Sequence, residues 1–212
     1  MQSNRLPTHP SALGTEIVHK TAYHHGDLRS TLIEAARQLI NEKGPEGFSV
    51  SEACRLAGVS TAAPYKHFKN KQEILLAVLL SSAERHAENM QAVVRPYPSG
   101  DPARITALNR NYIEAAMEDP GIFALRFDGA GAHLNSEAVK TAEKTLYGIV
   151  LQEIAACLGE PEVNDRVHRR GFMMWSCIHG LTSLLKDRHV AKEEIDFDLG
   201  DFLDDVTQRI LA

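Results

Sequence analysis

An all-α fold of about nine helices follows from three observations on this 212-residue chain. Apolar residues recur at spacings of three and four in one segment after another, and no segment alternates apolar and polar in the manner of a strand. The segments are separated by breaks rich in Gly, Pro and Asp, such as Gly44-Pro45, the run from Arg95 to Pro102, and Asp119-Pro120-Gly121. Aromatic residues make up only 6% of a chain that is 43% hydrophobic, which favours aliphatic helix packing. The predicted organisation is a loose arm over 1–22, a three-helix head carrying a helix-turn-helix over 23–71, and a larger helical body over 72–212.

The first helix starts at Asp27, a cap residue, and carries Leu28, Leu32, Ala35, Ala36, Leu39 and Ile40 on its inner side. Gly44-Pro45 stops it. Ser49 with Glu52 three residues later has the capping-box spacing, and Val50, Ala53, Cys54 and Ala57 give the next helix a buried side. Gly58 stands where a left-handed backbone ends that helix. Val59 fills the angle, Ser60 caps a second helix over about Thr61 to Phe68, and Pro64 falls in its first turn. Asn70 and Glu73 open a long helix whose inner face runs Leu75, Leu79, Ser82, His86, Met90 and Val93. At about 1.5 Å per residue it exceeds 30 Å.

Five more helices are predicted, over 102–118, 120–127 (closed by Gly129-Ala130-Gly131), 136–158, 161–186 and 196–211. The fourth of these is apolar over a wide arc, with Val167, Gly171, Met174, Trp175, Ile178, Leu181 and Leu185. A helix apolar on more than one side contacts more than its own core. Paired with Leu199, Phe202, Val206 and Ile210 of the last helix, its residues Val167, Met174, Ile178 and Leu185 predict a four-helix homodimer interface.

Charge separates the two parts. The whole chain carries a net charge of −5, which by itself argues against a nucleic-acid binder. Residues 20–71, however, hold eight Lys and Arg against five Asp and Glu, while residues 81–212 hold 14 against 21. A basic head on an acidic body suits a protein that meets DNA with one end. The second helix of a helix-turn-helix enters the major groove while flanking donors grip phosphates. Here that helix carries Tyr65, Lys66 and His67, with Lys69 and Lys71 just after it, all able to donate to phosphate oxygens. His24 and His25 are further candidate phosphate donors.

Four stretches carry a resemblance: Y-H-H-G-D-L-R at 23–29, G-x-x-x-F-S-V at 44–50, A-G-V-S at 57–60 and A-P-Y-K-H-F-K-N-K at 63–71. Together they resemble the DNA-binding domain of the TetR/AcrR family of bacterial transcriptional regulators. The resemblance implies phosphate anchoring by Tyr65, His67 and Lys71 and base-edge contacts from Thr61, Ala62 and Lys66. Ser49 and Ser51 complete the candidate set; Ser51 stands where the family can carry a longer basic residue, so readout from that helix is expected to be reduced. W-x-x-x-H-G at 175–180 is similar to the signature of a subgroup named for its Trp, His and Gly.

The resemblance further implies a small-molecule pocket in the body, for which Tyr112, Met117, Phe123, Phe127, Met173, Trp175 and His179 are the candidate lining. The expected partners are double-stranded DNA, a small effector and a second copy of the chain, with no cofactor and no metal. The expected activity is that of a repressor released from a palindromic operator, with activation by the same fold as the alternative. A small helical enzyme using His168, His179 and nearby carboxylates is a rival reading, as is a module that binds only protein. Three cysteines (Cys54, Cys157, Cys177) inside helical patterns read as core residues in a reducing compartment. With no apolar run long enough for a bilayer and no export signal, the expected location is the cytoplasm.

Overall fold

The head is built from the first described helix and the short helix and turns that follow it. The structure, a computed structural model, describes residues 28–127, 134, 136–187 and 197–212. Helix α1 (Leu28–Gly47) buries Leu32, Ala36 and Ile40, and its path breaks at Gly44, which has φ +77°. Helix α2 (Val50–Leu56) buries Ala53 and Cys54. It ends in a Schellman arrangement, with Gly58 at φ +69°, its N–H on the Arg55 carbonyl at 3.2 Å, and Val59 N–H on the Cys54 carbonyl at 2.9 Å. Ser49 is the N-cap residue, but the predicted capping box does not form: its side chain makes no cap bond. Glu52 turns instead to Lys43, 2.7 Å away, and that contact holds its carboxyl below the usual range.

The predicted helix over Thr61–Phe68 is corrected to a series of turns around one 3₁₀ turn, Pro64–Lys66. Pro64 has no N–H to offer the Ser60 carbonyl, which accepts from Ala63 instead at 3.0 Å. His67 and Phe68 both donate to the Pro64 carbonyl, at 2.8 and 2.9 Å, so the segment keeps a helical sense without a regular helix. Among the described residues there are thus eight α-helices, where nine were expected, and no strand.

Helix α3 (Lys71–Val94) begins at Asn70, whose side chain accepts from Glu73 N–H at 3.0 Å. It is about 36 Å long. The remaining helices are α4 (Pro102–Glu118), α5 (Pro120–Phe127), α6 (Glu137–Leu158), α7 (Asp165–Lys186) and α8 (Leu199–Leu211). Side chains of Asp101, Ser136, Asn164 and Asp198 cap α4, α6, α7 and α8. Arg104 locks the far end of α3 in place. It donates to the Val94 and Tyr97 carbonyls at 2.8 and 2.7 Å and forks onto Glu153 of α6 at 2.6 and 2.7 Å.

Two apolar clusters result. The first joins α1, α2, Phe48 and Phe68 to Ile74 and Val78 of α3 and to Ile122 and Leu125 of α5. The second gathers Met90 and Val94 of α3 with α4, α6, α7 and α8. Both α3 and α5 contribute to the first cluster, so the head does not pack by itself. At their closest, α5 meets α1 at Gly121, where a Cβ would lie 2.2 Å from the Ile40 carbonyl oxygen. The arm over 1–22, His24, His25, the Asp27 cap, the Gly129–Gly131 stop and the start of the last helix at Asp196 lie outside the described residues.

Candidate nucleic-acid interface and body cavity

The turn segment after α2 is held from below and open above. Pro64 is buried and Phe68 is buried in the first cluster, whereas Thr61, Ala62, Tyr65, Lys66 and His67 are all exposed, Tyr65 at 64%. An inward pair four residues apart thus holds Tyr65, Lys66 and His67 outward between them, with Thr61 and Ala62 just before. Two buried rings at the base each carry a cation: Arg29 lies 5.3 Å over Phe68 and Lys71 lies 5.4 Å over Phe48. Lys71 Nζ also sits 3.4 Å from the Glu46 carbonyl, which fixes the ammonium beside the start of α3. Ser51 is exposed and Ser49 half-buried. Arg29 was not singled out in the sequence, since one Arg at a helix start carries no signal until the fold sets it on Phe68.

In the body, five of the seven predicted pocket residues come together. Tyr112 Oη lies 2.8 Å from His179 Nδ1, and the His179 ring stacks on Phe123 at 5.4 Å between centroids. Phe127 and Trp175 flank the same imidazole at 4.8 and 6.0 Å. Burial pushes the Tyr112 hydroxyl pKa upward, so it remains a neutral phenol. The other two predicted residues are corrected: Met117 and Met173 are exposed and line neither cavity beside this cluster. Each falls on the solvent side of its helix, displaced by one residue from the inward Ala116 and Met174.

A cavity of about 390 Å³ opens next to the aromatic cluster. Its walls include Met90, Leu108, Phe127, Leu146, Val150 and Ile178, with Tyr112 and Trp175 between them. A smaller one of about 100 Å³ shares His86, Tyr112, Arg126 and Phe127 with it and reaches Asp119 and Ile122. Burial, with a lesser contribution from Arg126, lowers the His86 pKa to about 4, so its imidazole is neutral at pH 7. Sequence reading placed His86 and Met90 on one face of the long helix. It did not see that Lys140, Glu143, Lys144 and Tyr147 of α6 share a cavity-facing side, because charges at that spacing look like a solvated face.

At the end of the smaller cavity, Asp119 accepts hydrogen bonds from Arg37 and Asn41 of α1 and, at 3.3 Å, from Arg85 of α3. Asn41 in return accepts from Gly121 N–H at 3.0 Å. Glu34, hydrogen-bonded to Arg37, is held below the usual carboxylate range. This polar joint ties the head's first helix to α5, which also lines the cavities.

The predicted dimer residues are distributed differently from expectation. Val167, Met174 and Ile178 of α7 and Ile210 of α8 are buried inside the protomer, so they are corrected to core. Leu185, Leu199, Phe202 and Val206 are half-buried against the same cluster. The exposed stripe of α7 is instead Phe172, Met173, Ser176, Gly180, Ser183 and Leu184. Among the described residues no helix is long and apolar enough to cross a membrane.

Comparison with known proteins agrees with this architecture. A family model described as "Bacterial regulatory proteins, tetR family" matches residues 32–78, and one described as "Tetracyclin repressor-like, C-terminal domain" matches residues 105–210. The HTH-type transcriptional activator FasR of Mycolicibacterium smegmatis is 34% identical over 90 residues. That match covers 42% of this chain and 37% of FasR, so it spans little more than a third of that relative. A protein from Rhodococcus sp. RHA1 superposes with a TM-score of 0.73 at 20% identity, covering 91% of this chain and 97% of the other. The transcriptional regulator FadR from Bacillus subtilis, solved in complex with stearoyl-CoA, does so at 0.63 and 18%, covering 86% and 97%. These structural likenesses establish the fold. The family models match a helix-turn-helix head and a regulator body, and the named relatives are regulators, not enzymes. The chain belongs to the tetR family of bacterial regulatory proteins, a family of transcriptional regulators.

Proposed function

We propose that this chain is a homodimeric, DNA-binding repressor released from a palindromic operator by a small molecule. The head over 23–71 binds DNA and the body over 72–212 senses the effector and dimerises. The observation that carries the reading is the outward set Thr61, Ala62, Tyr65, Lys66 and His67, fixed by the buried Pro64 and Phe68. Thr61, Ala62 and Lys66 face base edges, with Lys66 able to reach guanine O6 or N7. Tyr65, His67, Lys71 and Arg29 supply donors to phosphates on either side.

Dimerisation is supported by the α7 stripe, where exposed Phe172, Met173 and Leu184 bracket the small residues Ser176, Gly180 and Ser183. Small residues between apolar ones let a second helix approach closely, and a two-fold partner covers the same surface on both copies. Two heads related by that axis match a palindrome with half-sites about one helical turn apart.

Effector response is supported by the cavity and by its neighbour α5. A ligand that displaces Phe127 or Arg126 moves the helix that Asp119 and Gly121 tie to α1. Helix α3, which runs from the body cluster to Lys71, carries the same displacement to the head. For release, the effector must bind the DNA-free arrangement more tightly; a coupling of about 1–3 kcal/mol changes affinity by about 5- to 150-fold. FadR, solved with stearoyl-CoA, shares this fold, which supports a body of this kind as a ligand holder.

Footprinting on the DNA upstream of the chain's own coding region tests the proposal. A protected palindrome of two half-sites is expected. Protection of a single half-site with no symmetry would remove the dimeric operator reading.

A further inference from the structure

The cavity's polar side is net positive. Helix α6 brings Lys140, Glu143 and Lys144 to it, and α5 adds Arg126, so three cations meet one carboxylate. Glu143 is engaged with Arg126 through a single long contact of 3.4 Å. Lys140 is 4.0 Å from Glu137 on the outer surface. Among the described residues Lys144 forms no ion pair. The opposite walls, from Met90, Leu108, Val150 and Ile178, are hydrocarbon.

Such a site discriminates by charge. A neutral apolar molecule gains burial but leaves the excess positive charge unanswered, and a cationic one meets a net positive rim. An anion gains charge-assisted hydrogen bonds from Arg126, whose planar fork suits both carboxylate and phosphate oxygens. A volume near 390 Å³ lies within the range of small-molecule sites. His86 Nδ1, buried and without a hydrogen-bond partner among the described residues, offers a neutral contact to a polar group on the ligand's body.

We propose that the effector is an amphipathic anion, with an apolar body in the cavity and a carboxylate or phosphate head at Arg126, Lys140 and Lys144. This rests on the ligand-responsive reading and names the chemical class that reading leaves open.

Trp175 is the sole tryptophan of the chain and lines the cavity, so its fluorescence reports occupancy. The full-length protein is titrated with dodecanoate, dodecyl phosphate, dodecanol and dodecyltrimethylammonium, each kept below its micelle concentration. One or both anions should saturate the signal at a concentration lower by about tenfold or more than the alcohol and the cation. Whichever anion binds more tightly identifies the head group. Arg126→Gln with Lys144→Gln should abolish that preference while the alcohol binds as before. Lys144→Gln alone, at an exposed site, should reduce it without disturbing the fold.

The inference is overturned if the alcohol or the cation binds as tightly as both anions. It is overturned equally if neither anion gives a saturable response, or if the substitutions leave the preference intact. DNA affinity, read separately, distinguishes the two proposals. An anion that fills the cavity without weakening DNA binding contradicts effector release and leaves the ligand class standing. A neutral molecule that releases DNA, with no preference for anions, does the reverse.

Discussion

In the head, large side chains that point inward meet other side chains: Leu32, Ile40, Phe68, Ile74 and Val78 close on one another around the small residues Ala36 and Ala53. In the body, Met90, Leu108, Met174 and Ile178 belong to an equally apolar cluster yet line a cavity. Buried polar side chains follow the same division. Asn109, Asn111, Thr182 and Thr207, the buried polar residues among those described, all lie in the body. A filled interior gives the head a fixed outer edge, whereas the body's interior keeps open space beside its polar groups. Helices α3 and α5 serve both, with Ile74 and Leu125 in the filled cluster and Met90 and Phe127 at the cavity.

Truncation should separate the two interiors most clearly. Ile40→Ala opens a hole in filled packing and should cost about 3–5 kcal/mol. Met90→Ala only widens an existing space and should cost about 2 kcal/mol, by urea denaturation. Equal losses would erase the distinction.

Acid should act on the body through His86. Its pKa falls from 6.5 to about 4 in the folded chain, so below pH 6.5 the unfolded chain takes up the proton first. Stability present above pH 6.5 is therefore lost as pH drops toward 4, by up to about 3 kcal/mol. His86→Leu should flatten that part of the pH profile; an unchanged slope would place the cause elsewhere.

The joint between the regions comes next. Gly121→Ala puts a Cβ against the Ile40 carbonyl, and neither backbone can yield easily, so a loss of about 1–3 kcal/mol in thermal or urea unfolding is expected. Unaltered stability would mean that α5 and α1 are not held in register. The smallest contrast lies within the head itself. Asn70→Ala removes a cap bond and should cost about 1 kcal/mol. Ser49→Ala removes none and should stay within about 0.5 kcal/mol.

Several helix starts were legible because their signals are local: Asn70 opens α3 as read from the sequence, and α4 and α6 begin at Pro102 and Glu137, within one residue of the predicted starts. Gly58 was legible for the same reason. The Thr61–Phe68 segment was misread because Pro64 was treated as a tolerated first-turn residue, while its missing N–H leaves Ser60 to close a tighter turn. The dimer residues predicted on α7 were misphased for a different reason. The most apolar side of α7 is claimed by its own core at Val167, Met174 and Ile178, and the outward side mixes Phe172 and Leu184 with Ser and Gly. Aromatic members of the cavity could be guessed from type, but Arg126, Lys140 and Lys144 could not. Their meeting depends on how α5 and α6 cross, which no local pattern encodes.

The most direct measurement is fluorescence anisotropy of upstream DNA over a range of salt, comparing the wild-type chain with Tyr65→Ala/Lys66→Ala. Both side chains are exposed, so the double variant should unfold at the wild-type temperature. Its affinity should fall by about tenfold or more, and its log affinity should depend less steeply on log salt. Wild-type affinity and salt slope in the double variant would contradict a DNA-reading edge at 61–67.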